Sequence, residues 1–117
     1  MTHVSGNRGG EKFDCSAATV RMHEDGGVFI FSGEADMGQG AKTVFAQIAA
    51  EKLCIPIDTI TVMPLDTDVC PFGMGTYSSR VTTLGGKAVL LACEQLLSQI
   101  LDLAAKMTSR QRDTLFI

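Results

Sequence analysis

Residues 27–53 read GVFIFSGEADMGQGAKTVFAQIAAEKL, and this stretch decides the fold. Its first six residues, Gly27–Ser32, carry β-branched and aromatic side chains in the strongest strand signal of the chain. Just upstream, His23-Glu24-Asp25-Gly26-Gly27 contains Asp-Gly, a hairpin pair because glycine tolerates positive φ. A partner strand is therefore expected over Ser16–Met22, where small and β-branched residues alternate with polar ones. In Ala41–Leu53, Val44, Phe45, Ile48, Ala49 and Leu53 recur at three- and four-residue steps, which predicts a helix with one buried face. Glu51 and Lys52 fall on its outer side. Pro56 ends the helix, because the residue before a proline avoids helical geometry.

Working outward, Asp58–Met63 (DTITVM) reads as a short buried strand, and LDTDVCPFGMGTYSSR (65–80) as a long loop. A last helix is expected from about Thr82 to Met107. Its middle, AVLLAC (88–93), is apolar on all sides, broken only by Lys87, Glu94, Asp102 and Lys106 around it. A helix of that kind is covered on more than one side, which a lone 117-residue domain achieves with difficulty. The expected fold class is α+β, a two-layer β-hairpin–α–β–loop–α unit. Residues 1–14 read as a loop or arm, 15–107 as the folded part, and 108–117 as a truncated tail or linker.

The chain has 117 residues, 45% hydrophobic and 20% charged, which fits a folding sequence rather than a disordered one. Thirteen acids against ten bases, scattered, argue against nucleic acid as partner. No apolar run is expected to reach the ~18–20 residues of a membrane span, and the amino terminus lacks the order of a signal peptide. Cysteines 15, 54, 70 and 93 show no CxxC spacing, so thiolate metal and thioredoxin signatures are absent and a reducing, cytoplasmic setting is expected. Cys54 and Cys93 lie in apolar helical patterns and read as small buried hydrophobes, whereas Cys70 lies in a loop where its thiol is open to test.

Two loops carry the functional signal. Met37-Gly38-Gln39-Gly40 opens the first helix, where unpaired N–H groups and a partial positive charge suit anionic or electron-rich ligands. Glycines there admit a ligand to the backbone, and the Gln39 amide can both donate and accept. A plain tight turn accounts for the same residues. The second loop brings Gly73, Gly75, Thr76, Tyr77, Ser78, Ser79 and Arg80 to the entry of the last helix. Hydroxyls and N–H groups there suit an oxyanion cradle, although Ser78 or Ser79 as a simple helix cap explains the pattern too. Arg80 can clamp a phosphate or a carboxylate. Gly73-x-Gly75-x-x-Ser78 lacks the third glycine of a dinucleotide fingerprint, and Gly85-Gly86-Lys87-Ala88 misses the final residue of a Walker loop. Asp66 and Asp68 suit loop-internal hydrogen bonds better than a cation. Neither His3 nor His23 is placed like a general base, so no catalytic or metal-ligating residue is assigned.

The order of MGQG, AQIAAEKLCIPIDTI and DTDVCPFGMGTYSSRVTTLGGKAV resembles the molybdenum-binding large subunit of the xanthine dehydrogenase/aldehyde oxidase family, most like its 4-hydroxybenzoyl-CoA reductase type. The likeness covers roughly residues 15–105. It implies a molybdopterin cofactor with molybdenum, in bacteria often as the cytosine dinucleotide. It also implies iron–sulfur clusters and FAD on partner subunits or domains. By the same resemblance Gly38, Gln39 and Gly40 contact the pyranopterin, and Thr76, Tyr77, Ser78, Ser79 and Arg80 form the second cofactor loop, with Ser78 where the family brings main chain close to the metal. Glu34 and Glu51 do not match the family's catalytic glutamate, and Cys54 stands where many relatives carry glycine. The chain is thus expected to be an inactive internal segment that packs on the remainder of a large subunit or, through exposed apolar surface, forms an oligomer. The alternatives are a self-standing nucleotide- or phosphate-binding module and a domain kept only for assembly.

Overall fold

The computed structural model describes residues 14–109 together with Arg112 and Leu115. Most of the expected arm and much of the expected tail lie outside those residues. Strands β1 (Ala18–Met22) and β2 (Val28–Ser32) pair antiparallel, with Met22 opposite Val28 and Ala18 opposite Ser32. The turn between them is the expected Asp-Gly turn: Gly26 takes φ +85°, and the Gly27 N–H donates to Asp25 Oδ1 at 2.9 Å. Helix α1 (Ala41–Leu53) then crosses over to β3 (Ile60–Val62), which lies parallel to β2 with Ile60 opposite Val28. The sheet order is β1-β2-β3.

Strand alternation places Val28 and Ile30 in the core and Phe29 and Phe31 on the other face, half-buried. There the His23 ring packs at 4.4 Å from Phe29, and the Arg21 guanidinium lies 5.2 Å above Phe31. The core face meets Phe45, Ala49 and Leu53 of α1, together with Ala41 and Ala46; Val44 and Ile48 sit at its edge. The buried stripe is therefore rotated slightly from the one that its largest residues outline.

Helix α1 ends at Leu53 as expected, and two later boundaries differ for physical reasons. Its cap, Cys54, takes φ +55° and donates its N–H to the Ala50 carbonyl; Ile55 reaches the same carbonyl. The left-handed cap, one residue ahead of Ile55-Pro56, ends the helix. Cys54 is exposed at that cap, not buried. A 3-10 turn (Ile57–Thr59) takes the first part of the expected third strand. The last helix begins as a π turn (Val81–Gly85) before continuing as α2 (Gly86–Thr108).

Helix α2 packs against both β1 and α1. Its amino-terminal half is the buried part: Val89 and Cys93 are fully covered, whereas Leu91, Leu103 and Met107 are exposed. The expectation of all-round cover is not met within this chain, since Leu91 lies exposed even in this first half. From Val81 to Thr108 the helix is long and apolar enough, by length and composition, to cross a membrane, which corrects the expectation that no run reaches that length. Val89 and Cys93 of this helix lie in the common core. Burial pushes the Cys93 thiol up to about 11, aided by Glu94 and opposed by Lys52.

Candidate functional site: two loops on one surface

The first loop runs from the end of β2 to the start of α1. Its organising residue is Asp36. Asp36 Oδ1 accepts N–H groups from Gly38 (2.9 Å) and Gly40 (3.3 Å), and Oδ2 accepts that of Lys42 (3.1 Å). Gly38 at φ +102° and Gly40 at φ +82° supply the left-handed backbone that turns these donors onto one carboxylate. The Lys42, Gly38 and Gly40 N–H groups hold the Asp36 carboxyl below its usual range, with a smaller contribution from the Lys42 charge. Gln39 closes on the loop too: its Oε1 accepts the Met37 N–H at 2.6 Å and its Nε2 donates to the Ala35 carbonyl at 3.0 Å. The helix entry expected to stand open to an anion is therefore already filled by Asp36. The Gln39 amide serves the loop rather than pointing away from it. What the loop exposes runs from Asp36 to Gln39 and includes the Met37 side chain.

The second loop leaves β3 and reaches the π turn at Val81. Asp66 Oδ1 accepts the Asp68 N–H at 2.9 Å, and the Asp66 carbonyl accepts that of Cys70, so this acid closes its own turn. Cys70 is half-buried. Ser78 at φ +49° and Ser79 at φ +59° are consecutive left-handed residues, a conformation L residues adopt at a cost of about 1–2 kcal/mol each. Neither serine caps the helix with its side chain; Thr83 Oγ1 instead donates to the Ser79 and Arg80 carbonyls. The cap explanation for Ser78 and Ser79 thus gives way. With Tyr77 they stand exposed, and among the described residues the N–H groups of Ser78 and Ser79 find no acceptor.

The structure joins the two loops. Gly33 and Gly73 meet backbone to backbone: a Cβ on Gly33 would lie 2.3 Å from the Pro71 carbonyl oxygen and 2.5 Å from the Gly73 nitrogen. Thr76 Oγ1 donates to the Ala35 carbonyl at 2.7 Å, the same oxygen that Gln39 uses. Arg80 is the third tie. Its side chain is 1% exposed, and Nη1 reaches both oxygens of the fully buried Glu34 at 2.7 and 2.8 Å. Nη1 also donates to the Gly75 carbonyl (2.8 Å), Nε to Asp14 Oδ1 (2.7 Å), and Nη2 to Ser16 Oγ (2.9 Å) and the Cys15 carbonyl. Burial alone would lower the Arg80 pKa, but hydrogen bonds and charge from Asp14 and Glu34 raise it above its usual value. The carboxylate that Arg80 clamps thus belongs to its own chain, and the guanidinium faces inward.

Sequence reasoning identified both loops but missed Asp14, Glu34, Asp36 and the Gly33–Gly73 contact. Asp36, two residues before a glycine, carried a local signal. Glu34 and Arg80 lie 46 positions apart and carried none. The assembled surface suits binding rather than bond-making: exposed peptide groups, two serine hydroxyls and a tyrosine ring on a braced frame. Among the described residues no group of three His, Cys, Asp or Glu is placed to hold a metal. The exposed hydroxyls and peptide groups of the two loops fit a polar, hydrogen-bonding ligand.

The comparisons agree with that chemistry. A family model of the molybdopterin cofactor-binding domain matches residues 1–117. The carbon monoxide dehydrogenase large chain of Afipia carboxidovorans is 38% identical over 91 residues, 78% of this chain and 11% of that protein. The xanthine dehydrogenase molybdenum-binding subunit of Escherichia coli O157:H7 is 36% identical over 95 residues, 80% of this chain and 13% of that one. Among solved structures, reconstituted CO dehydrogenase from Oligotropha carboxidovorans superposes with a TM-score of 0.83 at 35% identity, over 89% of this chain and 13% of that chain. The chain therefore spans little more than a tenth of each relative's length. With a family model matched from end to end over two braced, cofactor-compatible loops, the chain belongs to the molybdopterin cofactor-binding domain of the xanthine dehydrogenase/CO dehydrogenase large-subunit family.

Proposed function

We propose that this chain forms one wall of the molybdopterin site in a molybdenum oxidoreductase, as part of a two-layer unit. Gly38, Gln39 and Gly40 offer backbone along one edge, and Thr76, Tyr77, Ser78 and Ser79 along the other, with Arg80 behind them. The observation that carries the proposal is the joining of the two loops through Ala35 and the Glu34–Arg80 pair, because a single ligand then meets both. When bound, the cofactor would supply two-electron redox chemistry at its molybdenum. The chain's own residues bind and orient: the Ser78 and Ser79 N–H groups and hydroxyls donate, while Asp36 and Gln39 keep the first loop rigid.

The same reading extends to what the rest of the protein would provide. The substrate-transforming residues, iron–sulfur clusters and FAD belong to other segments or subunits, as the span of the relatives suggests. The cytosine dinucleotide form of the cofactor and the 4-hydroxybenzoyl-CoA reductase type both rest on motif order alone, and the named relatives favour CO or xanthine dehydrogenase chemistry as the comparison class. Four free thiols suit a reducing, cytoplasmic setting. The nucleotide-binding alternative loses its strongest element, since Asp36 already occupies the amino-terminal N–H groups of α1.

The test is molybdenum and pterin content of the native protein beside a Ser78→Asp variant. Aspartate tolerates left-handed backbone, so the fold is kept while a negative charge is placed at the cofactor edge. A large loss of both molybdenum and pterin is expected. Full loading of the variant would count against the proposal.

A further inference from the structure

The charge cluster at Arg80 joins three stretches far apart in sequence: 14–16, Glu34 and 75–80. It buries one cation with two carboxylates, Glu34 completely and Asp14 largely. Buried ion clusters are poor stabilisers compared with well-packed apolar residues of the same volume, because desolvation offsets much of the attraction. What they provide is geometry. A planar guanidinium donates to its partners only in fixed directions, and here six oxygens surround it: Asp14 Oδ1, both Glu34 carboxylate oxygens, Ser16 Oγ and the Cys15 and Gly75 carbonyls. Ser16 Oγ in turn donates to Glu34 Oε1 at 2.6 Å, closing the ring.

The position of Arg80 in the chain gives this geometry its use. It directly follows Ser78 and Ser79, the two consecutive left-handed residues. Nothing in a Ser-Ser pair itself favours that conformation. It is held from both ends by the same residue: the Arg80 side chain grips the Gly75 carbonyl at 2.8 Å, and the Arg80 N–H donates to the Tyr77 carbonyl at 3.1 Å. The Glu34 carboxylate at the centre of the cluster lies two residues before Asp36, which organises the other loop.

We propose that Arg80, held by Glu34 and Asp14, is a positioning residue that keeps Tyr77–Ser79 in the left-handed turn presenting their peptide groups to the cofactor. The inference rests on the reading of these loops as the cofactor wall. It assigns Arg80 no contact with the cofactor.

The experiment compares the native protein with Arg80→Lys and with the double variant Arg80→Met/Glu34→Met. Three quantities are read: thermal midpoint, hydrogen exchange of peptides covering 73–80 against those covering 86–97, and molybdenum per protein. Methionine at both positions removes one charge of each sign and keeps bulk but leaves the largely buried Asp14 without its cation, so a moderate fall in thermal midpoint is expected and the positioning role is read from exchange at 76–80 relative to 86–97. Exchange at 76–80 is expected to rise about tenfold or more, with 86–97 unchanged, since local opening is independent of global unfolding. Molybdenum content falls with it. Lysine keeps the charge but loses the fork, and gives the same local signature at smaller size, so the test survives if the double variant fails to fold. Native exchange at 76–80 and native molybdenum content in Arg80→Lys would overturn the inference. If the unsubstituted native protein holds no molybdenum, the cofactor reading fails first and the positioning role falls with it; a loaded native protein with indifferent variants removes the positioning role alone.

Discussion

Replacing Gly33 by alanine is the sharpest steric test of the joined loops. Gly33 has no positive φ to lose, so the consequence is purely one of space. The new Cβ would sit 2.3 Å from the Pro71 carbonyl oxygen, 2.5 Å from the Gly73 nitrogen and 2.9 Å from the Gly73 Cα. Against ordinary contact distances the first shortfall is roughly 1 Å. All three neighbours are backbone, so no side chain can swing aside and the loops must part by a similar distance. That stretches the 2.7 Å bond from Thr76 to the Ala35 carbonyl out of hydrogen-bond range. Overpacking costs about 1–3 kcal/mol and the lost hydrogen bond about 1 kcal/mol. The stiffer unfolded chain returns about 0.4–1 kcal/mol. We expect Gly33→Ala to destabilise by about 2–3 kcal/mol, measured by urea denaturation of the 117-residue chain followed by circular dichroism. Gly27→Ala is the control: its nearest neighbour is the exposed Asp25 carboxylate at 3.1 Å, a side chain that can shift at the expense of its bond to the Gly27 N–H, and the change should stay below about 1 kcal/mol. Equal effects at the two glycines would refute the claim that the loops meet backbone to backbone.

Three further predictions follow from single residues. Cys54→Gly removes the cost of a left-handed cap on a side-chain-bearing residue, and should raise stability by about 0.5–1 kcal/mol in the same denaturation assay. The folded-state pKa of Asp36 lies below its unfolded value of about 3.9, so its contribution is present above that pH and is lost as pH falls through the lower folded value. Asp36→Asn should accordingly weaken the chain near neutral pH, and the gap to the parent should narrow as the acid limb is titrated. Cys93, buried and with its thiol raised to about 11, should resist iodoacetamide at pH values near 8 while exposed Cys15 and Cys54 react; mass spectrometry of peptides reads the order.

How much was legible in the sequence depended on the range of the cause. The hairpin and α1 came from local patterns: Asp25-Gly26 marks a turn in any context, and the spacing of Phe45, Ala49 and Leu53 repeats on one helical face. Both loops were visible as glycine- and hydroxyl-rich breaks before helices. The roles inside them were not. Gln39 seemed free because nothing local shows its amide folding onto Ala35 and Met37. Arg80 seemed ready for a ligand because its carboxylate partner lies 46 residues earlier, on the far side of α1. The Gly33–Gly73 contact was hidden for the same reason: close approach of two backbones across 40 residues leaves no periodicity. Cys54 failed in the other direction, since its apolar neighbours outweighed the left-handed cap that exposes it.

The central claim is that one cofactor lies against both loops. Anomalous scattering at the molybdenum edge, from crystals of the native protein, locates the metal directly. The account predicts a molybdenum peak with its pterin density in contact with Gly38–Gly40 on one side and Tyr77–Ser79 on the other. A molybdenum site bounded entirely by other segments, with these loops facing solvent or protein alone, would contradict it.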